Sequence, residues 1–414
     1  MRRLLPLLVL GGLLLAGCSR RERLNPFDPM NPNSSGRPPG FVALAGDHEV
    51  TLRWSSVQGT TLIGFQVYKR GPGETEFTPL TGVLGVFTTG YRDIVVANGF
   101  DYSYRLYFVF ASGLGNLPAE DIATPGSAIP WLVENGGTDL MRITPDNRRV
   151  ALRRSEFGGT ADVAANPVTG DVWVADPGSN RVVIYDPFNG VTVSVPGFSV
   201  PRAVSVDTYD GSAWVCDQGG SIVHVAADGS IAPFSFGPVS QPMDVAVDLF
   251  DGSVWVCERG TNRVARYEAG QQLWARTVTA PSRVAVDSTT QDGWVTSFSG
   301  GTLTHLTSAG QAIGAPLVLS TPLGVCVDHR RGRIWVADPG VGQLIAVRRD
   351  GSVEFRVTGL ADVGDVSVDL GSGDAWAVLG VGGKLARVSS AGTVTSTQSG
   401  FRSPFAVSVD PGGR

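Results

Sequence analysis

The chain has 414 residues, a formal net charge of −5 and only 17% charged residues against 42% hydrophobic ones. Outside its first residues it has no basic stretch, which excludes the electrostatic footprint of a nucleic-acid binder. Its 54 glycines, set beside so few charges, point to tight turns between short strands and an all-β chain. At the start, Arg2 and Arg3 precede an apolar run from Leu4 to Leu15 that is too short for a membrane-spanning helix and has the form of an export signal.

That run ends in Leu15-Ala16-Gly17-Cys18, which resembles the lipobox of bacterial lipoproteins. The resemblance implies a signal peptide over residues 1–18, lipidation at Cys18 and anchoring to a membrane of the cell envelope. Ser19 in place of Asp after the Cys implies the outer membrane if the cell is Gram-negative. Residues 19–40, rich in Pro and Asn, are expected to form a flexible, extended tether.

Residues 41–126 form the next unit. Glu49-Val-Thr-Leu-Arg-Trp54 and Gly64-Phe-Gln-Val-Tyr-Lys69 alternate with a period of two, as half-buried strands do. With Trp54 in its second strand, Tyr68 in its third and Tyr102 placed as a tyrosine corner, the segment resembles a fibronectin type III domain, which implies a spacer or adhesion module.

Beyond it one unit recurs. Pro201-Arg-Ala-Val-Ser-Val-Asp207 leads to Gly211-Ser-Ala-Trp-Val-Cys-Asp217, and Pro242-Met-Asp-Val-Ala-Val-Asp248 leads to Gly252-Ser-Val-Trp-Val-Cys-Glu258. The marker tryptophans 131, 173, 214, 255, 294, 335 and 376 are spaced by 39 to 42 residues, the period of four-stranded propeller blades. In one unit the strands are expected at 203–207, 213–217, 221–226 and 231–236. Trp131 lacks an inner strand before it, and Ser403 to Asp410 forms an inner-strand motif with no Trp after it. Residues 127–414 therefore read as a seven-bladed β-propeller closed by a blade shared between its two ends. A six-bladed ring is the alternative, and it leaves half a motif unpaired at each end.

The connections Asp176-Pro-Gly-Ser-Asn-Arg-Val182 and Glu258-Arg-Gly-Thr-Asn-Arg-Val264 resemble those of NHL-repeat propellers. The wider pattern is similar to propellers of the virginiamycin B lyase and gluconolactonase type. This implies the fold and leaves the activity open, because propellers carry many functions.

Residues that recur in every repeat belong to the scaffold, and residues that break the repeat are candidates for a site. The Asp closing each inner strand is expected to form an Asx turn, and the tryptophans to pack between blades. Cys216, Cys257 and Cys326 stand where other repeats have Ala or Ser, so they read as small buried residues; their odd number argues against a disulfide framework. His224 and His305 fall on third strands, on what reads as a solvated face.

Two columns at the start of the inner strand vary. They supply Asp162, Arg202, Met243, Asp244, Arg283, Asp365 and Phe405 as candidate binding residues at a channel mouth. The acids ending the second strands, Glu134, Asp176, Asp217, Glu258 and Asp338, read first as caps of their loops. The competing reading makes them ligands of Ca²⁺, which takes six to eight oxygens. No HExxH, paired-Cys or GxSxG motif is present, and no catalytic residue is assigned. The expected function is a membrane-anchored binding or scaffold lipoprotein with a protein or glycan ligand and no cofactor. The alternative is an exported, metal-dependent lactonase, hydrolase or lyase.

Overall fold

The computed structural model describes residues 25–187, 190–232 and 235–410. Cys18 and the leader lie outside these residues. The described chain is almost wholly strand and turn, and its sheets fall into two groups.

The first group is a pair of sheets sharing one core. Val42–Gly46, Glu49–Arg53 and Gly90–Asp93 form a three-stranded sheet. Leu62–Arg70 and Tyr102–Phe110 form the centre of a six-stranded one. Along Tyr102–Phe110 buried and half-buried residues alternate, which follows from successive side chains pointing to opposite faces. Trp54, Phe65, Leu106 and Phe108 fill the space between the sheets. The Ala97 N–H donates to the Tyr102 hydroxyl at 2.9 Å. Asp93 is buried, ion-paired with Lys69 at 2.7 Å, and accepts the Tyr104 hydroxyl at 2.9 Å. Burial and the Asp93 charge raise the Tyr104 pKa, so the phenol stays a donor.

An extended tether is not what residues 25–40 form. Asn25, Asp28 and Asn31 each accept a backbone N–H two residues on, which winds the segment into turns. Phe27 sets its ring edge-on against Phe108 and Phe110, with centroids 5.0 and 5.2 Å away. Phe27 thereby packs the segment against the core of the two sheets.

The second group is a series of seven sheets over residues 129–410. The second sheet is typical, with Asp162–Ala165 innermost, then Val172–Asp176, Arg181–Asp186 and Gly190–Pro196, all antiparallel. The first sheet is built from Ile129–Glu134, Leu140–Ile143 and Val150–Arg154, with the last strand, Pro404–Asp410, as its inner member. In the third sheet the expected outer strand at 231–236 is reduced to isolated bridges from Ile222 to Phe236 and from Val225 to Ile231.

The tryptophans explain how the sheets stack. Trp131 packs on Val163, Val172 and Val174 of the second sheet, and Trp173 on Val204, Val206 and Val215 of the third. Trp214 packs on the fourth sheet, Trp255 on the fifth, Trp294 on the sixth and Trp335 on the seventh. Trp376 of the seventh packs on Leu132, Met141 and Ile143 of the first. Each buried indole removes on the order of 150–250 Å² from water, so every junction is an apolar core of its own.

The turns follow the expected chemistry. Asn166, Asp207, Asp248, Asp287 and Asp369 each accept the N–H two residues on, at 2.8 to 3.1 Å. In the connections after the second strands, Asn180 and Asn262 adopt left-handed φ of 52° and 51°, where a third sheet has Gly342. The flanking arginines turn back on the acids, Arg181 to Asp176 and Arg263 to Glu258, both at 2.9 Å. The acid-Gly-Asn-Arg pattern is thus a loop-building device.

Candidate functional site: the starts of the inner strands

Inner strands of neighbouring sheets run side by side, too far apart to share a ladder, and their backbone N–H groups need partners. Side chains supply them. Asp162 accepts Val204 N–H at 2.9 Å, Asp244 accepts Val284 N–H at 2.8 Å, and Asp365 accepts Val407 N–H at 3.1 Å. One turn of the pleat further on, Ser205, Ser367 and Ser408 accept from Val247, Val409 and Ala165 at 3.0 to 3.1 Å. The Ser408 bond joins the last strand of the chain to the second sheet.

Three of the candidate acids therefore act as staples between sheets, and they also form one electrostatic group. Burial raises the carboxyls of Asp244 and Asp365 above the usual range, with Arg283 opposing. Asp162 is pushed up to about 7, by burial first and then by Asp365 and Asp244, again against Arg283. Burial lowers the Arg283 guanidinium, but Asp244, Asp162 and Asp365 outweigh it and hold the group charged. Arg283 reaches Asp244 in an ion pair at 3.2 Å. This cluster places Asp162, Asp244, Arg283 and Asp365 together as the sequence columns expect.

Arg202, within the electrostatic reach of this cluster, and Met243 line an adjoining space. With Gln218, Gln241 and Arg259 they line a shallow pocket of about 500 Å³ between the third and fourth sheets. Gln218, Gln241 and Arg259 were not singled out in the sequence. Gln218 and Arg259 occupy one repeat position, directly after the acid that ends the second strand, and that column varies as much as the two that were compared. Phe405 is separate from this pocket. It packs half-buried against the cluster around Trp131 and Ala406.

The acids ending the second strands, expected to cap their own loops, mostly hold the connection that enters the inner strand of the same sheet. Asp176 accepts Gly158 and Gly159 N–H, Asp217 accepts Ser199 and Val200, and Asp338 accepts Ser320 and Thr321. Glu134 accepts Arg402 N–H at 2.7 Å, from the connection entering the last strand. Glu258 instead binds Arg263 and the Tyr267 hydroxyl. Two backbone N–H groups take about two of the four lone-pair sites of a carboxylate and fix its orientation. Among the described residues, no three His, Cys, Asp or Glu side chains are grouped to hold a metal ion.

The thiols and imidazoles do not add chemistry to the site. Cys216, Cys257 and Cys326 are free, and burial pushes their pKa well above the ordinary thiol value. The face carrying His224 and His305 is not solvated: both are 7% exposed. His305 stacks on Trp294 at 3.8 Å and His224 lies 4.7 Å from Trp214. The same cross-strand position carries Arg266 beside Trp255 and Arg387 beside Trp376. The column holds a basic group against five of the seven indoles, with Ile184 opposite Trp173 and Ala346 opposite Trp335, and burial lowers both histidines.

No protein-family model and no curated protein matches the chain. Solved structures do. The chain is similar to virginiamycin B lyase from Staphylococcus aureus, at 17% identity and a TM-score of 0.51 over 58% of this chain and 84% of that one. It is similar to a catalytically inactive His-to-Ala variant of that lyase with quinupristin, at 16% identity and a TM-score of 0.51 over 61% and 92%. It is also similar to a functionally unknown protein from Desulfotomaculum acetoxidans, at 12% identity and a TM-score of 0.59 over 68% and 98%. At these identities the likeness establishes a β-propeller fold related to that of the lyase.

Proposed function

We propose that this chain is a membrane-anchored, extracytoplasmic binding lipoprotein that presents the mouth of a seven-bladed β-propeller to its ligand. In this reading residues 1–18 are the signal and lipidation segment, and 41–126 are a fibronectin type III-like module. Residues 127–414 are the propeller, closed by the blade that pairs Ile129–Glu134 with Pro404–Asp410. The cyclic run of tryptophan junctions, ending with Trp376 on the first sheet, supports the closed ring of seven.

One observation carries the binding reading over the enzymatic one. Asp162, Asp244 and Asp365, the acids at the mouth, each hold a neighbouring strand's N–H, and no imidazole stands beside them. His224 and His305 lie against tryptophans on third strands, and His329 follows the far end of an inner strand. The similar lyase is catalytically inactive as a His-to-Ala variant; the histidines of this chain lie away from the acids of the mouth.

A second reading has one observation behind it. A carboxyl pushed up to about 7 is suited to proton transfer near neutral pH, and Asp162 is such a group. Incubating the full chain with quinupristin, simple lactones and aryl esters, with and without Ca²⁺, separates the two. The binding reading expects unchanged substrate masses. Turnover that is lost in Asp162→Asn overturns it in favour of a lyase or hydrolase.

A further inference from the structure

We infer that the pocket between the third and fourth sheets is a binding site for a hydroxylated carboxylate of sugar-acid size, with Arg202 and Arg259 holding the carboxylate and Gln218 and Gln241 the hydroxyls. This rests on the binding reading above and names the ligand class of the same mouth.

The argument begins with charge. Arg283 and Arg202 lie on neighbouring columns of the mouth, but they are not treated alike. Arg283 sits among three carboxylates and takes Asp244 as its ion pair. Arg202 is half-buried, is repelled by Arg283, and makes no ion pair among the described residues. Burial first and then that like charge work against its protonated form, while Asp162 and Asp244 favour it without reaching it in an ion pair. A guanidinium remains charged in a protein, so an anion entering the pocket would supply the direct ion pair that Arg202 does not make among the described residues. Arg259 lines the same pocket and adds a second guanidinium with no carboxylate between the two.

The rest of the lining sets the class of anion. Planar guanidinium groups match a planar carboxylate with two parallel hydrogen bonds. Gln218 and Gln241 each offer a donor and an acceptor, the pair of functions that a sugar hydroxyl uses. Met243 is the one apolar lining residue, and its sulfur lies 3.6 Å from the Gln218 amide, which it helps to place. Four polar residues to one apolar suit a hydroxyl-rich ligand better than an aliphatic or aromatic one. About 500 Å³ accommodates one or two sugar rings. The chemistry is shared by a free sugar acid and by a uronate within a polysaccharide.

The full chain in detergent micelles is titrated with glucuronate, a uronate oligosaccharide, glucose, acetate and phosphate, and binding is read by saturation-transfer NMR and calorimetry. Glucuronate should bind at least about tenfold more tightly than glucose or acetate, since each loses one half of the recognition. Arg202→Gln and Arg259→Gln should each weaken glucuronate by about tenfold or more, while leaving the thermal midpoint unchanged. Tighter binding of the oligosaccharide than of glucuronate assigns the ligand to a polysaccharide, and equal binding to the free acid. Binding of phosphate or acetate as strong as that of glucuronate overturns the sugar-acid assignment. So does the absence of saturable glucuronate binding, or binding indifferent to Arg202. Conversion of the bound sugar acid would leave the pocket assignment standing and overturn only the non-catalytic reading.

Discussion

The Arg142 guanidinium donates to the Ala45 carbonyl at 2.8 Å, and through this bond the N-terminal sheets take the place of a neighbouring repeat. In the fourth sheet Arg266 stands at the same cross-strand position and reaches Ser308 of the next sheet at 2.8 Å. In the seventh, Arg387 reaches Pro145 of the first at 2.9 Å. Arg142 turns the same reach onto the three-stranded sheet, where Gly126 N–H also bonds Gly46. The N-terminal sheets are thus docked at the end of the first sheet opposite the candidate mouth. Arg142→Ala should loosen the docking, at a cost of about 1–3 kcal/mol for the buried polar group left behind. Hydrogen exchange is the check. Amides of residues 43–46 should lose protection while those of the inner strands keep theirs, and unchanged protection at 43–46 would show that the bond holds nothing.

Asp162 should make stability depend on pH. Its native pKa, near 7, lies above the roughly 3.9 of an unfolded Asp. The native state therefore keeps the proton to higher pH than the unfolded state. The stabilisation is full below about pH 4 and is lost as pH rises through 7. Asp162→Asn keeps an oxygen acceptor for Val204 N–H and cannot ionise. Between pH 4 and pH 8 the variant should gain about 2–4 kcal/mol relative to the parent chain. Urea unfolding at the two pH values measures this, and parallel curves for both proteins would remove Asp162 from the pH response.

How much of this was legible in the sequence follows from what repeats. The tryptophan spacing and the Asp that closes each inner strand gave the blade unit, because each is required in every copy. The charged cluster of Asp162, Asp244, Arg283 and Asp365 was legible as a column that breaks the repeat. Its stapling role was not, since an Asp bonded to a strand in the next sheet looks like any exposed Asp in one dimension. His224 and His305 were misjudged as solvated for a related reason: their burial comes from the tryptophan opposite and from the adjoining sheet. Gln218 and Arg259 are not distinguished in one dimension, because their column follows the acid that ends the second strand and reads as part of its loop. The turns at 25–40 escaped because a Pro/Asn-rich composition suggests an open chain, and the packing of Phe27 is a tertiary effect.

The anchor is tested separately from the fold. If the proposed lipid on Cys18 is the anchor, Cys18→Ala should move the protein from the detergent-rich to the aqueous phase of a cloud-point partition, since acyl methylenes at about 0.8 kcal/mol each would supply the attachment. The thermal midpoint should not change. Retention of the variant in the detergent phase would mean that something other than a lipid on Cys18 holds the chain at the membrane.

Ring closure makes the sharpest prediction. Pro404–Asp410 pairs along the whole of Ile129–Glu134. It is also stapled on both flanks, with Val407 and Val409 N–H on Asp365 and Ser367 and the Ser408 hydroxyl on Ala165 N–H. Trp376 then buries its ring against the first sheet as fully as Trp255 does against the fifth. In an open row of sheets the Trp376 junction would be an end, free to fray without unfolding the remainder. In a closed ring it is one interface among equals, and breaking it opens the whole. Trp376→Ala and Trp255→Ala should therefore each cost about 3–5 kcal/mol in a single cooperative transition. An early, separate transition in Trp376→Ala, with the main midpoint unmoved, would show that the seventh and first sheets do not close the ring.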